Sequence, residues 1–75
     1  MSKLLKIGEL AKTIDRLPST IHFYTQEGLL KPADHTQGGY RLYEKNIALQ
    51  RIKQIEKLQV QKRWTIEEIK NYFKN

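Results

Sequence analysis

The sequence predicts a mainly α-helical domain, a winged helix-turn-helix of about four helices with a small two-stranded β wing. Three observations carry that prediction. Apolar residues recur at helical spacing in several separate segments. The first two of these segments are parted by a break of about four residues. Between the second and third, a Gly38-Gly39 pair divides a polar stretch from Tyr40-Arg41-Leu42-Tyr43.

The elements follow in order along the chain. Ile7, Leu10, Ala11 and Ile14 fall at i, i+3, i+4 and i+7, so a first helix runs from about Lys6 to Ile14. Asp15-Arg16-Leu17-Pro18 breaks it, and Pro18 suits the first turn of a new helix, where its missing N–H is not needed. The second helix covers about Pro18 to Gln26, with Ile21, Tyr24 and Phe23 toward one side. Gly28 stands where a left-handed cap is wanted, and Leu29 follows as its apolar partner. Lys31-Pro32 opens an extended stretch, and Thr36-Gln37-Gly38-Gly39 reads as the turn of the wing hairpin. Ala48, Ile52, Ile55 and Leu58 restore helical spacing, giving a third helix over about Glu44 to Val60. Thr65 with Glu68 forms a capping box for a fourth, whose apolar face is Ile66, Ile69, Tyr72 and Phe73.

The 75 residues form one domain, residues 1 to 75, without repeat, linker or low-complexity segment. So short a chain buries only about 60 to 65% of the surface exposed on unfolding, which leaves little room for an enclosed active site. Cysteine is absent, so disulfides and thiolate metal ligands are excluded. No apolar run reaches the roughly 18 residues of a membrane span, and the start is too short for a signal-peptide core. A cytoplasmic protein is expected.

Lysine and arginine total 14 against 8 acids, a net charge of +6. Residues 41 to 63 hold seven basic side chains and only Glu44 and Glu56 as acids. Concentrated positive charge attracts phosphates by counterion release, which puts nucleic acid first among partners; a solvated helix face is the plainer reading of the same run.

Only His22 and His35 offer imidazoles, with no cluster of carboxylates beside them, so neither a metal site nor any cofactor is expected. Ser19 and Thr20 read as helix-start residues rather than nucleophiles, and enzyme activity is not expected. Phe23 and Trp64 read as core. Tyr24, Tyr40 and Tyr43 carry hydroxyls able to donate to phosphate, and the expectation for them is ring against core with hydroxyl toward DNA. Arg41, Lys62 and Arg63 are candidate phosphate contacts, and Ser19, Thr20 and His22 are the exposed positions from which the second helix would express sequence preference.

Ile7-Gly8-Glu9-Leu10-Ala11-Lys12, Thr20-Ile21-His22-Phe23-Tyr24, Glu27-Gly28-Leu29-Leu30-Lys31-Pro32 and Gly39-Tyr40-Arg41-Leu42-Tyr43 occur in this order. Together they resemble the DNA-binding domain of MerR-family transcription regulators. The resemblance implies that the second helix enters the major groove, the wing touches backbone and minor groove, and the start of the fourth helix, at Thr65, grips a phosphate. It places His22 and Tyr24 where the family's Thr-Ile-Arg-Tyr-Tyr pattern turns an arginine and a tyrosine to DNA, and maps the wing's Tyr-Arg-x-Tyr onto Tyr40, Arg41 and Tyr43. It further implies a homodimer that bends and untwists a promoter, acting on double-stranded DNA.

Departures from the family pattern mark the chain's own character. Asp15-Arg16 replaces a Gly-Val turn, with Leu17 the candidate to fill the valine's place. His22 replaces arginine, which removes a bidentate contact. Thr25 replaces a common glutamate. Lys62-Arg63-Trp64-Thr65-Ile66 replaces a turn that carries glycine. The family's long dimerisation helix and effector domain would begin about where Asn75 stands, so the portion here is expected to be monomeric and the whole regulator dimeric. Two other readings share the composition: an excisionase-type architectural protein of a phage or mobile element, and a protein-interaction adaptor that keeps the fold.

Overall fold

The computed structural model describes residues 3–74; Met1, Ser2 and Asn75, the ends of the domain assigned from sequence, lie outside them. Seven elements follow one another: β1 (Leu4–Lys6), α1 (Ile7–Ile14), α2 (Pro18–Gln26), β2 (Asp34–His35), β3 (Arg41–Glu44), α3 (Lys45–Val60) and α4 (Ile66–Lys74). None of the described helices is long and apolar enough to cross a membrane.

The four helices lie where the sequence predicts them, because their boundaries are written in local chemistry. Pro18 is at the first turn of α2. At the other end of that helix Gly28 takes φ +78°, its N–H donates to the Thr25 carbonyl (3.1 Å), and the Leu29 N–H reaches the Tyr24 carbonyl (2.9 Å). These two bonds close a Schellman cap, and the left-handed residue at its centre suits glycine. In α4 the capping box is made in full: the Glu68 N–H donates to Thr65 Oγ1 (3.2 Å), and the Thr65 N–H donates to Glu68 Oε1 (2.9 Å). Glu44 starts α3 by accepting from the Asn46 and Ile47 N–H groups.

The wing departs from expectation in having a third strand. The sheet is antiparallel in the order β1-β3-β2, with Leu5 opposite Tyr43 and His35 opposite Arg41. Leu4 and Leu5 leave one side of β3 paired and half-covered, which stitches the wing to the first helix. The hairpin turns where the glycine pair predicts, with Gly39 at φ +86° and its N–H bonded to the Thr36 carbonyl (2.9 Å).

Two turns that lack a glycine are nevertheless left-handed: Asp15 has φ 57° and Arg63 has φ 56°. Aspartate tolerates this region better than most residues. Leu17 does not take up the core position proposed for it and is 68% exposed. It is Arg16 that folds back, capping the carbonyls of Ile14 and Asp15 (both 3.1 Å) and gripping Glu56 of α3 through Nε (2.7 Å) and an N–H of its other end (2.9 Å). The core itself is formed by Leu10, Ala11 and Ile14 of α1, Ile21 and Tyr24 of α2, Leu29, Leu30, Tyr43, then Ala48, Ile52, Ile55 and Leu58 of α3, and Ile69 of α4. Trp64, Ile66 and Phe73 pack against it from its edge.

Candidate nucleic-acid interface

Helix α2 turns Ile21 and Tyr24 inward, so Pro18, Ser19, His22, Phe23 and Gln26 make up its exposed face. A helix with one buried stripe and a free opposite face has the shape needed to enter a major groove. The wing runs beside that face. A cleft of about 750 Å³ lies between them, lined by Lys6, Ile7, Gly8 and Glu9 at the start of α1, by His22 of α2, and by His35, Gly39, Tyr40, Arg41 and Tyr43 of the wing.

Among the residues that line the cleft, Lys6 and Arg41 are cationic and Glu9 is acidic. Arg41 makes no side-chain hydrogen bond or ion pair among the described residues, so its guanidinium keeps its donors for another molecule. Lys6 holds its ammonium 5.3 Å from the centre of the Tyr40 ring. The N-terminus of α1 adds the positive end of its dipole, partly offset by Glu9, whose carboxylate accepts from the Lys6 N–H (3.1 Å). Lys6 and His35 are not among the DNA contacts expected from sequence. Lys6 stands at the edge of a strand too short to show periodicity, and His35 becomes a wing residue only through pairing with Arg41.

A second basic element lies in the turn between α3 and α4. Lys62, Arg63 and Thr65 are all exposed there. The Lys62 ammonium sits 5.8 Å from the Trp64 ring centre, and the Trp64 N–H anchors the turn to the Leu58 carbonyl (3.0 Å). The first turn of α4 also carries Glu67 and Glu68, and Glu68 already occupies the Thr65 N–H, so the positive character of this site comes from Lys62 and Arg63.

The tyrosines separate. Tyr40 is 66% exposed, whereas Tyr24 and Tyr43 are 5% and 1% exposed. The Tyr24 hydroxyl donates to Gln59 Oε1 (3.0 Å), and the Tyr43 hydroxyl shares a bond with Thr25 Oγ1 (2.9 Å). The expectation of hydroxyls aimed at DNA is therefore corrected for Tyr24 and Tyr43, whose hydroxyls serve contacts between elements. Burial, with the nearby Glu56 carboxylate, raises the Tyr24 pKa above its ordinary value, partly offset by Arg16. The hydrogen bond to Glu56 is the main cause that raises Arg16.

Two further placements differ from expectation. Thr20 is half-buried, so Ser19 and His22 are the better exposed of the three α2 candidates. Phe23, expected in the core, is 43% exposed, because α2 has room for only one inward stripe and Ile21 and Tyr24 fill it. Among the described residues no three histidine, aspartate or glutamate side chains gather to hold a metal ion.

Similarity to known proteins covers this architecture almost from end to end. The family model described as MerR HTH family regulatory protein matches residues 5–75. The HTH-type transcriptional regulator ZntR of Escherichia coli is 40% identical over 50 residues, which is 67% of this chain and 35% of that protein. Nodulation protein NolA of Bradyrhizobium elkanii is 40% identical over 53 residues, 71% of this chain and 24% of that protein. Among solved structures, the transcription regulator PbrR691 from Ralstonia metallidurans, in complex with lead(II), superposes with a TM-score of 0.75 at 37% identity, covering 93% of this chain and 53% of that one. The chain thus spans about a quarter to a third of those curated relatives and about half of the solved one.

Proposed function

The chain belongs to the MerR HTH family of regulatory proteins, and from that premise we propose that it binds double-stranded DNA sequence-specifically as the DNA-binding domain of a transcription regulator. Helix α2 enters the major groove with Ser19 and His22 toward the bases. The wing lies along the backbone, where Arg41 and Tyr40 meet phosphates. Lys62, Arg63 and the Thr65 end of α4 meet the backbone on the other flank. The whole regulator acts as a homodimer, while the domain alone is monomeric, since α3 spends Ala48, Ile52, Ile55 and Leu58 on its own core. Membership of a regulator family favours this reading over the excisionase-type and adaptor readings.

The observation that carries the proposal is the cleft that joins the free face of α2 to the wing and collects His22, Tyr40 and the unpartnered Arg41. An enclosed reaction site would need buried, converging titratable groups; this cleft is open and its cations are free to neutralise an extended anion. His22 in place of arginine leaves a single imidazole contact where the family pattern has a bidentate one, so base reading at that position is weaker.

Duplex binding measured across a salt series tests the proposal. If about four phosphates are neutralised per domain, log K falls against log salt with a slope of about −3.6. Arg41→Ala should weaken binding to unrelated duplexes alike and reduce that slope by about 1. A slope near zero for the unmodified domain removes the DNA reading. Loss confined to one sequence moves Arg41 from backbone contact to base reading.

A further inference from the structure

We propose that Phe23 reads the 5-methyl group of a thymine in the major groove, making it a second specificity residue of α2; the proposal rests on the DNA-binding reading above. An aromatic residue with no polar atom is an unusual occupant of an exposed helix face. Phe23 is 43% exposed while its neighbours on that face, Ser19, His22 and Gln26, are polar. Left in water, the ring would forfeit the burial that Ile21, on the inward face of the same helix, obtains.

The ring is also held in place. It packs against Tyr24 with centroids 5.8 Å apart and planes tilted by 54°, and Tyr24 is itself fixed by the bond from its hydroxyl to Gln59. A braced ring gives an apolar contact surface with little conformational entropy left to lose on binding. Phe23 can neither donate to a phosphate nor bond to a base edge. The feature of the major groove that rewards an apolar side chain is the thymine methyl.

Its position suits that contact. At 3.6 residues per turn, Phe23 lies about 100° around the helix from His22. His22 lines the cleft on the wing side, so Phe23 occupies the opposite flank of the exposed face, one turn beyond Ser19. The two flanks then address different base pairs, the polar one through hydrogen bonds and the apolar one through a methyl.

The test begins by selecting a preferred duplex from a random pool with the 75-residue chain. Each thymine is then replaced singly by deoxyuridine, which deletes the methyl and leaves every hydrogen-bonding group. Affinities are measured at fixed salt for the unmodified chain, Phe23→Ala and Phe23→Gln. Burying one methyl-sized group predicts that one uracil substitution per bound domain weakens binding by about fourfold. In both variants thymine and uracil should bind equally at that site, with helical content and salt slope retained. Should one variant fail to fold, the other decides. A flat uracil series in the unmodified chain, or a thymine preference that persists without the ring, overturns the proposal. If the salt slope survives a flat series, only the Phe23 assignment falls; if no duplex binding is seen at all, the DNA reading falls with it.

Discussion

The cleft side of the domain and its interior use the same residue types for opposite purposes. Tyr40, Arg41 and His22 make no side-chain hydrogen bond among the described residues, whereas Tyr43, Tyr24 and Arg16 are each tied to a partner on a distant element. The difference is one of position. Tyr43 lies within the central strand, opposite Leu5, while Tyr40 sits just outside the strand at the hairpin turn. Arg16 bridges the first interhelical turn to Glu56, while Arg41, at the start of β3, lines the cleft without a side-chain partner among the described residues. Polar groups that hold elements together are thus withdrawn from any ligand, and those left unpaired are the ones the proposed DNA contact uses.

The largest effect expected from breaking this division is at the two tyrosines. Tyr43→Ala should destabilise the fold by about 3–5 kcal/mol, the usual cost of deleting a large buried ring. A small domain has only about 5–15 kcal/mol to lose, so a large unfolded fraction is expected at modest denaturant. Tyr40→Ala, three residues away on the exposed side, should change stability by no more than about 0.5 kcal/mol and weaken DNA binding instead. Urea titrations followed by far-ultraviolet circular dichroism separate the two. Equal midpoints for both variants would show that the division between interior and cleft is misdrawn.

The arginines give a smaller contrast. The Arg16–Glu56 pair is two-pronged but about a third exposed on each side chain, so water screens it. Arg16→Ala should cost about 1 kcal/mol, a fall in melting temperature of about 4–8 °C for a domain of this size. DNA affinity at temperatures well below melting should be unchanged. A melting temperature that holds steady, or an affinity that drops as it does for Arg41→Ala, would count against a purely internal role.

What could be read from the sequence follows the range of the interactions involved. Pro18, Gly28 and the Thr65–Glu68 box act over three or four residues, and they located the helices because each signal and its effect share one stretch of chain. The strand Leu4–Lys6 was not legible: three residues show no periodicity, and its partner, Tyr43 for Leu5, is far along the chain. The left-handed turns at Asp15 and Arg63 lack the glycine that would have announced them in the sequence, and only the aspartate is a residue that tolerates that region readily. The basic and aromatic residues proposed for the site could be named from sequence because each is a local choice of residue type. Which tyrosine faced inward could not, because that depends on Gln59 and Thr25 arriving from other elements.

The smallest effect concerns pH and probes the interior side alone. Burial raises the Tyr24 pKa in the folded state, assisted by the negative charge of Glu56 and opposed by Arg16. The unfolded phenol ionises at its ordinary value of about 10. Below that pH both states hold the proton, and the preference for the neutral phenol contributes in full. As pH rises past it the unfolded chain releases its proton first, the folded state binds more protons than the unfolded, and stability falls with pH. Lysines titrate in the same range, so the informative quantity is the difference between the unmodified chain and Tyr24→Phe. Phenylalanine keeps the ring but cannot ionise, and it leaves Gln59 Oε1 without its donor. The variant should therefore be less stable at neutral pH by about 1 kcal/mol, the typical worth of such a bond, with the gap narrowing above about pH 10. A gap that stays constant through the alkaline range would mean that Tyr24 ionises alike in both states, and that its hydroxyl is open to water and not committed to the interior.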